Sequence, residues 1–423
     1  MKRLLLTVLT MSIILLGGFF NPAPAQQPNS SIPVLIDGVP VTMDSPPVIL
    51  DGHTMVPFRA LAEALGVDVV WDGPAQTVQA TDGKTAIRLQ IGSNTAYRNG
   101  APVTLDAPPL IAGGRTLIPL RFFSEAFDCQ VDWDGAVKIT SPLREIPLRE
   151  MFVTGFYALG DPGTSSWTNL FGVQYPAAGQ GKTGLVSELA LGWYSLDEAG
   201  GLLTKSKQNW QRPEGWEDVL QTAGKYNLKT EMVVQLTDGD GALTGLLSND
   251  AAVQNSIGAI AAETALYEGV NLDFEGLGYS QTGTALEAVR QSFNSYASRL
   301  AKELHAGGKT LTLTLHAPNS AFKGYDYKTL GQHADRIIIM AYDYGAKPEP
   351  DHLVTQAVEM AAAVVPPAKL SLGISIPSET EASLSAKTGI AKRYNLGGIS
   401  LWRLGLLSDQ MWETLETTVQ AKK

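Results

Sequence analysis

The sequence predicts an α/β protein, a (β/α)8 TIM barrel preceded by a small α+β domain that is internally duplicated. Three observations carry this expectation. The segment starting at Asp37, "DGVPVTMDSPPVILDGHTMVPFRALAEALGVDVVWDG", returns without a gap at Asn99 as "NGAPVTLDAPPLIAGGRTLIPLRFFSEAFDCQVDWDG", and self-similarity of this kind marks a repeated structural unit. After "SPLREIPLRE" the pattern changes: from Met151 onward, short apolar runs alternate with longer stretches of helical period, the signature of β/α units. Eight such runs occur, the number that closes one barrel.

Each copy of the repeat, about 37–73 and 99–135, reads as a short hairpin, a Pro-Pro turn and a strand ending in Pro57 or Pro119. An amphipathic helix and a further strand carrying Trp71 or Trp133 follow. Paired units of this size can bury their faces on each other. Both tryptophans sit beside apolar strand residues, which favours core packing over stacking on a sugar. Residues 32–142 resemble the copper amine oxidase N-terminal-like stalk domain, through "VPFRALAEALG", "IPLRFFSEAF" and the two "WDG" turns. The resemblance implies no oxidase activity, because the catalytic domain with its Asn-Tyr-Asp/Glu motif has no counterpart here. Five scattered histidines argue against a copper site. No cofactor and no metal are implied.

The chain has 423 residues and a formal net charge of -10, long enough for two or three domains with cores of their own. An acidic chain without a basic cluster repels phosphate, which argues against a nucleic-acid partner. The opening "MKRLLLTVLTMSIILLGGFFNPAPAQQ" combines a basic start, an apolar run and the small residues Ala23 and Ala25. It predicts a signal peptide over 1–25, cleaved after Ala25, in preference to a retained anchor, leaving no membrane segment afterwards. Cys129 is the only cysteine, which rules out an internal disulfide and fits a small buried hydrophobe.

In chain order the eight expected barrel strands are "MFVTGFYA" from Met151, "SELALGWYSL" from Ser187, "KTEMVVQLT" from Lys229 and "EGVNLDFE" from Glu268. They continue with "TLTLTLHA" from Thr310, "RIIIMAYDY" from Arg336, "KLSLGISI" from Lys369 and "GGISLWRL" from Gly397. A barrel strand packs one face on helices and turns the other inward, to the active site at its C-terminal end. In the fourth strand period two sends Val270, Leu272 and Phe274 outward and Gly269, Asn271, Asp273 and Glu275 inward. Buried acids are costly unless they have a partner or a task. Asp273 and Glu275 fall roughly 6 to 7 Å apart along one face, where a neighbouring carboxylate and an apolar pocket both raise a carboxyl pKa. The sixth strand adds Met340 and Tyr342, with Asp343 just beyond. The eighth adds Gly398, Ser400 and Trp402, which leave room above a flat ring. Trp193 and Tyr194 end the second strand, and one of them is expected to line the cleft. His316 ends the fifth, either facing the site or satisfied locally. Asp238 and Asp240 in "LTDGDG" read as turn chemistry.

From about Met151 to Thr418 the chain resembles the family 18 glycoside hydrolases. "EGVNLDFE" is similar to the family's D-G-x-D-x-D-x-E signature, "MAYDYG" to its M-x-Y-D motif, and Trp402 falls at its final-strand tryptophan. Glu268 and Asn271 stand where the signature has Asp. The Asn variant is similar to the spore cortex-lytic and spore-germination subgroup. The resemblance implies substrate-assisted, retaining hydrolysis, an exception to the two-carboxylate scheme. Glu275 would be acid and then base, Asp273 would orient the 2-acetamido group, and Tyr342 would hydrogen-bond its carbonyl. Asn271, Met340, Asp343, Trp402 and one of Trp193 and Tyr194 would bind substrate, with Asn271 holding Asp273 and Trp402 flooring the sugar.

The expected function is therefore an exported hydrolase of β-1,4 links at N-acetylglucosamine. Its partner would be an N-acetylated amino-sugar polysaccharide, cell-wall or spore-cortex peptidoglycan before chitin. The leading domain would attach it to the wall or spore of a Gram-positive type bacterium. The alternative is a non-catalytic, chitinase-like glycan-binding wall protein.

Overall fold

The computed structural model describes residues 32–36, 39–41, 43–65, 67–133, 135–141, 149–157, 165–206 and 211–423. The expected signal peptide lies outside these residues. Eight parallel strands close a barrel: β1 (Arg149–Tyr157), β2 (Glu188–Leu196), β3 (Lys229–Thr237), β4 (Gly269–Glu275), β5 (Thr310–His316), β6 (Arg336–Met340), β7 (Leu370–Ser375) and β8 (Gly398–Trp402). Each pairs with the next, and β1 pairs with both β2 and β8, leaving no open edge. Two short strands are appended: Leu202–Leu203 hairpins onto the end of β2, and Val419–Ala421 runs beside the start of β1.

The alternation in the sequence is what builds this layer. Val270, Leu272 and Phe274 are fully buried in the shell between strands and helices. Phe274 packs on Phe293 and Tyr296, ring centroids 6.0 and 5.5 Å away. Those two rings belong to the helix Gly283–Ala306, whose buried residues Val289, Phe293, Tyr296, Leu300 and Leu304 recur at helical spacing. Among the described residues, no helix is long and apolar enough to cross a membrane.

The leading domain shows why the repeat is paired. The hairpin of the first copy (Val48–Leu50, His53–Pro57) joins that of the second (Leu110–Ala112, Arg115–Pro119) through antiparallel pairing of Val56 with Ile118. The helices that follow, Phe58–Leu65 and Leu120–Ala126, bury Leu61 and Phe123 in one shared core, which also takes Cys129. Trp71 packs partly against this core. Trp133 does not: it is 57% exposed, a correction to the expected packing. It ends an edge strand, Gln130–Trp133, whose inner face is supplied by Val131 instead. The domain meets the barrel where the Arg393 guanidinium donates to the Ala64 carbonyl.

Inside the barrel, where branched apolar residues commonly fill the core, polar groups take part of the space. Thr154 Oγ1 donates to Glu188 at 2.5 Å, and Arg336 pairs with the same carboxylate. Glu231 accepts from Thr312 Oγ1 at 2.5 Å and from Asn271 Nδ2 at 3.4 Å. Ser371 and Ser400 bond each other at 2.8 Å. Burial, and then the charge of Glu188, push the Glu231 carboxyl from an ordinary 4.5 up to about 8. Between these two values the unfolded chain releases a proton that the folded one keeps, so this group's contribution to stability falls as pH rises. The Glu231→Gln variant should therefore lose less stability than the parent between pH 5 and 8 in denaturant titrations. Equal slopes in the two proteins would show that Glu231 is ionised in the fold.

Candidate active site

The C-terminal ends of the strands surround a cavity of about 470 Å³. Strand β4 delivers Asp273 and Glu275, the turn after β6 delivers Tyr342 and Asp343, and β8 delivers Trp402, as period two requires. Met340 and His316 complete the wall. Trp402 meets Phe156 edge-on at 5.2 Å, above an apolar cluster of Ala190, Val233 and Ile338. Gly373 makes room for Tyr342: a Cβ there would stand 3.3 Å from the tyrosine ring and 2.7 Å from the Ile339 carbonyl.

The electrostatics centre on the two carboxyls. Burial raises both, and each feels a neighbouring negative charge, Glu275 on Asp273 and Asp343 on Glu275. The two carboxyls also lie within hydrogen-bonding reach of each other, which couples their protonation. Gln235, in register with Asp273 on β3, also supports the Glu275 carboxylate. Asp273 Oδ1 is buried with no hydrogen-bond partner among the described residues, an acceptor left open beside the cavity. The Tyr342 hydroxyl is pushed far above its ordinary range by burial and then by the nearby acids, so it stays a donor at any working pH.

Two expectations need correction. Trp193 and Tyr194 are both fully buried behind the wall of the cleft. A register shift between Gly192 and Tyr194 interrupts the alternation of β2, as a bulge does. Trp193 then packs edge-on against Tyr157 and Trp216, while the Tyr194 hydroxyl bonds Glu263, Tyr267 and Arg212. The second concerns Asn271. Among the described residues its side chain donates down to Glu231 and accepts across from Thr314 Oγ1 at 2.7 Å, rather than holding Asp273.

Other residues behave as their local chemistry suggests. Glu268 accepts from the Thr230 amide and hydroxyl at 2.7 Å each, well below the cavity. Asp238 accepts from Thr244 N and Oγ1, both at 2.7 Å, closing the turn onto the helix Ala242–Leu247. His316 faces the cavity, stacked on Phe322 at 3.9 Å, and burial holds its pKa down at about 4. Sequence reasoning missed Gln235, Phe156, Asn319, Phe322 and Tyr344. Gln235 and Phe156 were accessible to the period-two argument applied to β3 and β1. The others stand on loops that no periodicity governs.

With this geometry in place the comparisons with known proteins can be read. Residues 183–378 match the model of the glycosyl hydrolases family 18. That match lies within the barrel and covers most of it. Residues 35–141 match the copper amine oxidase N-terminal domain. Over 189 residues the chain is 30% identical to a Bacillus subtilis (strain 168) protein provisionally named sporulation-specific glycosylase YdhD, covering 42% of this chain and 40% of the relative. Over 182 residues it is 25% identical to a cortical fragment-lytic enzyme of Bacillus anthracis, covering 36% and 40%. Each match thus spans about two fifths of the relative's length. Among solved structures, the spore cortex-lytic enzyme SleL of Bacillus megaterium QM B1551 superposes with a TM-score of 0.53. It is 16% identical, over 76% of this chain and 80% of that one. The likeness shows the shared barrel fold.

The charge of Asp343 disfavours ionisation of Glu275, so removing it should make Glu275 titrate at lower pH. Carboxyl-resolved carbon NMR of the protein with Asp343→Asn should show this downward shift. An unchanged or raised midpoint would remove Asp343 from the electrostatics of the pair.

Proposed function

We propose that the protein is a retaining glycoside hydrolase acting on glycans of N-acetylated amino sugars, with spore-cortex or cell-wall peptidoglycan preferred over chitin. The observation that carries this reading is the Asp273–Glu275 pair in one cavity with Tyr342 and Trp402. The preference for peptidoglycan is supported by the names of the Bacillus relatives. Export by the N-terminal segment, and attachment through the duplicated domain, belong to the same proposal.

The chemistry follows from where the proton sits. Two buried carboxyls in contact hold a single proton at neutral pH, because both cannot ionise at once. In this reading Asp273 holds that proton before substrate arrives. A sugar lying over the Trp402 ring would offer its acetamido N–H to the open Asp273 oxygen. Asp273 is then better as an anion, and its proton passes to Glu275, within reach of the glycosidic oxygen. Tyr342 donates to the acetamido carbonyl and holds that oxygen against the anomeric carbon. As Glu275 protonates the leaving group, the acetamido oxygen closes an oxazolinium ring. Water, deprotonated by Glu275, reopens it with net retention. Asn271 lies one step below, bonded to Glu231 and Thr314, and supports the strand rather than the proton transfer.

Muropeptide release from purified spore cortex, vegetative wall and chitin oligomers tests the reading. The wild type should cut cortex and leave a new reducing end at N-acetylglucosamine, and Glu275→Gln should lose on the order of 10² or more in rate. Glycan binding by both proteins with release by neither would make this barrel a glycan-binding module instead.

A further inference from the structure

The residues that present Tyr342 and Asp343 to the cavity sit on an unusual turn. Asp343 has φ +64, a left-handed conformation that a non-glycine residue holds only when its surroundings enforce it. The enforcing group is six residues further on. Glu349 Oε1 accepts from the Asp343 amide at 3.0 Å and Oε2 from the Tyr344 amide at 3.1 Å. Glu349 is 3% exposed, so its carboxylate meets two amides that would otherwise be buried without partners.

This clamp is anchored from behind. The Glu349 carbonyl accepts from Lys387 Nζ at 2.6 Å, and the same ammonium pairs with Asp351 at 2.7 Å and lies 3.5 Å from Glu379. Lys387 is 2% exposed and belongs to the helix Glu381–Arg393. Downstream of the clamp, the Tyr344 hydroxyl bonds Asn319 at 2.8 Å, tying the turn to the loop after β5. The Tyr342 ring packs beside Gly373, where a Cβ would stand 3.3 Å from it. Its ring is placed by the backbone on which Glu349 pulls.

We propose that Glu349 is a positioning residue for the reaction, a bidentate carboxylate clamp that sets the left-handed turn at Asp343 and thereby the place of the Tyr342 phenol. The proposal rests on the glycosidase reading for its purpose and on the turn geometry for its existence, and the two are tested separately. For the geometry, amide hydrogen exchange of residues 343 and 344 should speed up in Glu349→Ala and, less strongly, in Glu349→Gln, while amides of β4 and β7 keep their protection. For the purpose, Glu349→Gln should lower kcat on chitin oligomers by on the order of 10- to 100-fold, as small misplacements of reacting groups do, and leave KM near the parental value. The conservative variant keeps one accepting oxygen and should retain more activity than the alanine variant. In a Tyr342→Phe background the same substitution should add little, because both changes disable one device. Unchanged exchange at 343 and 344 would overturn the clamp. Normal kcat in Glu349→Gln, or full additivity with Tyr342→Phe, would overturn its role in catalysis. If the parent protein cleaves no glycan, the function reading falls while the exchange measurement still decides the clamp.

Discussion

Two buried carboxyls, Asp273 and Glu275, organise the upper half of this barrel. Burial and neighbouring negative charge push both toward the neutral form, Glu275 acting on Asp273 and Asp343 on Glu275. Every neighbour is then constrained by that state. Gln235 supports the Glu275 carboxylate, and the phenol of Tyr342, too buried to ionise, keeps its proton to donate. Trp402 closes the floor with an apolar face, which keeps the local dielectric low and the coupling strong. Under the proposed function a substrate acetamido group would bring both a donor for Asp273 and an acceptor for Tyr342.

Below the site a second set of buried charges does a different job. Glu188 is balanced by Arg336, and Glu231 is satisfied by hydrogen bonds while its pKa stands near 8. Asn271 joins the two levels by its strand, and its amide is spent on the lower one. An aspartate at 271 would put another acid against Glu231 in a dry interior, so the amide at this position suits the carboxylate beneath it. The same logic of paired burial recurs at Lys387, which anchors Glu349 behind the turn at Asp343.

Much of this was legible in the chain itself because two periodicities carry it. Alternation in "GVNLDFE" separates Val270, Leu272 and Phe274 from Asn271, Asp273 and Glu275, and the same rule places Tyr342 and Trp402. The duplication set out the leading domain, whose two hairpins pair across one core. What escaped was whatever breaks a period or joins distant positions. The register shift at Gly192 turned Trp193 and Tyr194 away from the cleft, and an edge strand left Trp133 in solvent. Asn271 met Glu231 from another strand, and Glu349 reached back across a turn, contacts that no local pattern encodes.

The most direct test of the shared-proton, substrate-assisted account is the anomeric configuration of the first product, followed by proton NMR during cleavage of an N-acetylated oligosaccharide. Participation by the acetamido oxygen predicts that the new reducing end appears first as the β anomer and only then mutarotates. Initial release of the α anomer would mean direct attack by water, and the assignment of Asp273 and Tyr342 to the acetamido group would be wrong.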